Sequence, residues 1–232
     1  MDDHASLARR ATARFLIGFL AALWLAVPLP AGSAERVEEK DQAAKVAKKV
    51  EKARGAAHQA EEEREALRDF QKEVVDYAEL HDKELAKLGL PVATNASEAV
   101  AAQKALAHAI AERRAKARRG DVFGPDVEPL FRRLVAEQLR GPDALDARHA
   151  VLEGNPGQED EEASVPVVLR VNAEYPSGAP RSTVPPSVLL TLPPLPESLH
   201  YGFVGRDLVL IDSVAQLIVD FLPNAAPDLS SK

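Results

Sequence analysis

Cysteine is absent from the 232 residues. That excludes a disulfide framework, a thiolate metal site and a cysteine nucleophile. Aromatic residues are scarce at 5%, against 46% hydrophobic and 28% charged residues, a balance that fits neither a polytopic membrane protein nor a fully disordered chain. There is no excess of positive charge. The net charge of −7 disfavours nucleic acid as a partner, because neutralising phosphates needs a basic surface. Motifs of chemistry are missing as well: no G-x-S-x-G, no phosphate-binding glycine loop, no H-E-x-x-H and no G-x-G-x-x-G occurs.

What is present begins with an export signal. Arg9, Arg10 and Arg14 precede an apolar run over 15–27, then Pro28, Pro30 and the small residues Ala31, Gly32, Ser33 and Ala34. This order predicts a secretory signal peptide, 1–34, cleaved after Ala34. The alternative is an uncleaved inner-membrane anchor over 15–34, which would be the chain's one contact with a membrane. Cleavage removes two Asp and three Arg, taking the net charge from −7 to −8. It also removes Trp24, the only tryptophan.

The segment 35–90 has no proline and carries 12 Lys/Arg against 15 Asp/Glu. Val46, Val50, Ala53, Ala57 and Ala60, then Leu67, Phe70, Val74 and Tyr77, recur mostly at spacings of three and four, the seam of a long helix or coiled coil. The seam is weak before Leu67, where its residues are Ala and Val, so that part is expected to fray or to need a partner. Gly89 and Pro91 end the helix, and Asn95 with Glu98 reads as the capped start of a second, running to about Arg119. Together 35–119 form a charged, Ala-rich helical hairpin or coiled-coil arm. Arg113, Arg114, Arg118 and Arg119 crowd the second helix's end. A favourable interaction with the helix dipole explains them, and a surface for an anionic partner is the sharper reading.

A small α+β domain is expected over 120–227, followed by a tail, 228–232. It would hold a helix over 126–140, a short helix over 144–152 and an acidic linker over 154–164. A strand candidate covers 165–173. Seven prolines follow between 176 and 196, with one short helix inside 184–192. Strands are expected over 199–204, 207–211 and 216–222. Gly205-Arg206 suits a two-residue hairpin turn, which exposes Arg206 as a further candidate contact. The segment 208–211 is apolar on both faces and reads as the central strand. So small a β-meander should pack on the 126–140 helix.

Five histidines follow residue 34, and no two have the three-to-five spacing of a helical metal pair. No metal or cofactor ligand set is expected, and no enzyme activity. Tyr77, His81 and Glu84 share a helix face, read as a solvated or seam-edge histidine. Glu174, Glu197, Asp207, Asp212 and Asp220 are lone carboxylates, of which Asp207 and Asp212 suit turns.

The phrases "VNAEYPSGAP", "LPPLPESLHYGFVGRDLVLID" and "LIVDF" are similar to the tails of uncharacterised exported bacterial proteins. The last two also resemble, over about thirty residues, the tail of the periplasmic nickel/cobalt homeostasis family called RcnB-like. That resemblance implies a proline-rich turn leading into a short β-meander, and it brings no metal ligands onto this chain. The expectation is an exported envelope or periplasmic protein with a structural or interaction role. Its partner would be an envelope protein or a second copy met through the helical arm. The alternative is a periplasmic ligand- or metal-binding module.

Overall fold

The computed structural model describes residues 34–89, 94–140, 144–153, 168–175 and 184–228. Contacts divide the chain into two units, Met1–Lys52 and Ala53–Lys232. The described part of the first unit is the opening stretch of α1 (Ala34–Leu88), whose residues 42–52 are all exposed. The expected leader and the alternative anchor lie outside the described residues, except that Ala34 is the first residue of α1. Among the described residues, no helix is long and apolar enough to cross a membrane.

The second unit holds the rest of α1, then α2 (Ala96–Arg113), α3 (Glu128–Arg140), α4 (Leu145–Glu153) and α5 (Pro186–Leu189). Three strands follow, β1 (Leu199–Val204), β2 (Asp207–Asp212) and β3 (Ile218–Leu222), in an antiparallel sheet of order β1-β2-β3. The fold is therefore α+β, with a long N-terminal helix and a small C-terminal meander.

Local chemistry accounts for the element ends. α1 stops at Gly89, whose φ of +53° suits a residue without a Cβ. Asn95 caps α2: its Oδ1 accepts from Glu98 N at 3.0 Å, while Glu98 Oε2 accepts from Thr94 N at 2.8 Å. Val204 pairs with Asp207 across a two-residue turn in which Gly205 has φ +60° and Arg206 does not, the pattern of a type II′ hairpin. The central strand β2 is buried on both faces. Leu208 and Leu210 join the main core, and Val209 and Ile211 join a smaller cluster with Tyr175 and Ile218.

Four rings of the main core touch one another in series. Phe70 of α1 lies 5.6 Å from Phe123 and 4.9 Å from Phe131 of α3, and Phe131 lies 6.3 Å from Tyr201 of β1, centroid to centroid. Leu106 and Ile110 of α2 belong to the same cluster, so the end of α1 shares one core with α2, α3 and the sheet.

Two expectations need correction. The described part of the 165–173 strand candidate is not a strand. Asn172 turns the chain at φ 61°, a conformation that asparagine tolerates, and Glu174 makes only an isolated bridge to Leu217. α2 also ends at Arg113 rather than near Arg119. The chain leaves the helix there because Val122 and Phe123 are drawn into the core. Residues 154–167, which include the expected acidic linker, lie outside the described residues.

Candidate functional site

The buried face of α1 runs through Ala66, Phe70, Val74, Tyr77, His81 and Glu84. Its last three members are polar, and they need partners once desolvated. Asp212, at the end of β2, supplies two. Its Oδ2 accepts from Tyr77 Oη at 2.8 Å and lies 2.6 Å from His81 Nδ1. Its Oδ1 accepts from Val214 N at 2.9 Å and Ala215 N at 2.7 Å, closing the turn into β3. His81 is 2% exposed and Asp212 0%, so the seam-edge histidine is in fact a core residue. The turn role expected of Asp212 holds for one of its oxygens only.

Electrostatics follow from this geometry. Burial pushes the Asp212 carboxyl up, but the hydrogen bonds from His81, Ala215 and Tyr77, with the His81 charge, outweigh it and hold the carboxyl below its usual range. The hydrogen bond to Asp212 raises His81 against the opposing effect of burial. Burial, then the charge of Asp212, pushes the Tyr77 phenol up, so it stays a neutral donor.

Arg114 braces the other side of Tyr77. Its guanidinium carbon sits 5.0 Å from the ring centroid, and it donates to Asn172 Oδ1 at 3.0 Å and to Val219 O at 3.1 Å. Asn172 Nδ2 donates back to Arg114 O at 2.7 Å. Glu84 is held by Lys87 at 2.6 Å and Arg113 at 3.2 Å, an ion pair that joins α1 to α2. Asp220, fully buried in β3, accepts from the backbone N–H of Gly120, Val122 and Phe123 at 2.8–3.1 Å and so ties the loop between α2 and α3 to the sheet.

An open cleft of about 610 Å³ lies beside this network, lined by Tyr77, Arg113, Arg114, Lys116, Asp121 and Val122 among others. A histidine hydrogen-bonded to a carboxylate resembles half of an acid–base relay. Here the carboxylate also receives a phenol and two backbone N–H groups, and the imidazole is enclosed. Every buried side-chain polar atom among the described residues has a partner. No group of three His, Asp or Glu among them is placed to hold a metal ion. The arrangement is an internal polar clasp that fixes α1 to the β2–β3 turn.

The five arginines singled out from sequence are dispersed. Arg113 pairs with Glu84, Arg114 points into the fold, and Arg119 reaches Glu128 at 3.5 Å. Arg118 is exposed, and its backbone N donates to Asp121 Oδ2 at 2.9 Å. Arg206 is exposed at the hairpin, with Nε donating to Ala226 O at 3.1 Å. The Asp212 and Asp220 clasps were missed. The available signal was that His81 and Glu84 continue the three-four spacing of Phe70, Val74 and Tyr77, which places them inside.

No family model matches this chain, and no curated protein or solved structure matches it either.

Proposed function

We propose that this chain is an exported envelope protein that acts by protein–protein contact, with the outer part of α1 as its docking element. The observation that carries the reading is the exposure of that helix. Val46 is 60% and Val50 46% exposed, at a spacing that would otherwise mark a buried seam. A helix with an apolar row left in water is short of the packing that holds most protein helices. The polar clusters deeper in the molecule support the same reading, because each is consumed in holding the fold.

The test is a photo-reactive side chain at Val50 in intact cells, with a second at Leu190, an 88% exposed position on the opposite half of the sequence. A discrete adduct from Val50 and none from Leu190 is expected; equal or absent adducts would sink the docking role. Export is checked by intact mass. Envelope protein should correspond to residues 35–232 and lack tryptophan emission, since Trp24 leaves with the leader.

A further inference from the structure

We propose that the partner of the outer part of α1 is a protein with an acidic docking face, met by a group of four lysines between residues 45 and 52. The inference rests on reading that part of α1 as a docking element and supplies the chemistry of what it meets.

Lys45, Lys48, Lys49 and Lys52 share one face of α1, because positions three and four apart are neighbours on a helix. All four are exposed, and none makes an ion pair among the described residues. Lys45 neighbours Lys48 and Lys49, and Lys52 neighbours the same two. Every pair three or four apart inside the group therefore sets lysine against lysine, which weakens a helix. Glu51 is the one acid between residues 42 and 60, and it too makes no ion pair among the described residues. Further along α1 the pattern is different. Arg64 reaches Glu61 at 3.1 Å, Lys72 reaches Asp76 at 2.6 Å and Lys87 reaches Glu84 at 2.6 Å.

The lysine group is thus a turn-and-a-half of helix in conflict with itself until anionic groups are brought to it. Local rules are broken chiefly where a site has a use. Solubility does not require the group, since mixed charges serve it and the chain is already acidic.

Geometry and charge describe the partner. The four lysines span about 10 Å along the helix axis. Val46 and Val50 form an exposed row about a third of a turn away round the same helix. The complementary surface is an acidic patch of that length with an apolar strip beside it. Residues 42–52 hold four Lys and one Glu, a net +3, in a chain of net −7, so the remainder carries −10. An extended anionic bilayer would meet that remainder as well as the lysines, and two valines offer little area for insertion. A discrete acidic patch on a protein meets the lysines alone.

The test is the photo-reactive side chain at Val50 in intact cells, with adduct measured per molecule of chain in the envelope. In K45E/K48E/K49E/K52E, checked for folding by circular dichroism, the protein adduct should fall at least roughly tenfold, since like charges then face each other across the contact. In K45R/K48R/K49R/K52R, which keeps the charge, it should stay within about twofold of the wild type, and mass spectrometry should place the cross-link in a partner segment with more Asp and Glu than Lys and Arg. An adduct undiminished by the reversal, an equal loss in the arginine variant, a cross-linked segment of net positive charge, or an adduct with lipid in place of protein would overturn the proposal. A wild-type protein adduct that survives the reversal removes this inference and leaves the docking role standing; a wild type with no adduct removes both.

Discussion

The two ends of α1 follow the same spacing and have opposite fates. Between 42 and 59 every residue is exposed; between 66 and 84 six are buried. What differs is side-chain size and the presence of distant partners. The outer row offers Val and Ala, whose burial removes little apolar area. The inner row offers Phe70, Val74 and Tyr77, which bury more and interlock with rings from α3 and β1. Periodicity therefore chooses which face of a helix can pack, and volume decides whether packing occurs.

The contrast is sharpest in truncation. Phe70→Ala removes a ring in contact with both Phe123 and Phe131 and should cost about 3–5 kcal/mol. Val50→Ala should change global stability by less than about 0.5 kcal/mol. Denaturant unfolding followed by circular dichroism separates the two. A loss above ~1.5 kcal/mol at Val50 would mean that the outer row is packed after all.

The sequence made the locally determined parts legible. Gly205-Arg206 identified the hairpin turn, a run apolar on both faces identified the central strand, and Asn95 with Glu98 marked the start of α2. The polar clasp was not legible, for a physical reason. His81 and Asp212 are separated by 131 positions, and nothing local to either announces the other. Arg114 was obscured by a sufficient local explanation, a cation near a helix C-terminus, although its guanidinium in fact bonds Asn172 and Val219. Where a residue has an adequate short-range role, long-range pairing leaves no trace in spacing.

The clasp gives the inner half a pH dependence. His81 is raised from an ordinary value of 6.5, so its contribution is complete below that value and is lost as pH rises through the folded pKa. Asp212 is lowered from 3.8, so its contribution is complete above that value and is lost as pH falls through its folded pKa. Stability should thus be greatest between these limits and decline as pH rises above about 6.5. In His81→Gln the alkaline decline should flatten. An unchanged profile in that variant would remove His81 as its source.

The smallest effect expected is at Gly55, and it separates helix strength from fold stability. Alanine there should favour the helix by roughly 1 kcal/mol, since glycine is the poorest helix former after proline. Within its own chain the new Cβ meets nothing within 4 Å, so no intrachain steric penalty offsets the gain. Yet exposed residues on both sides leave the gain with little to couple to in the core, and global unfolding free energy should move by less than about 0.5 kcal/mol. Slower amide exchange confined to positions near 55, with an unchanged denaturation midpoint, is the expected pair of results. A midpoint shift matching the full propensity gain would show that this stretch of α1 unfolds together with the core, and the contrast between the two ends of the helix would then be one of exposure alone.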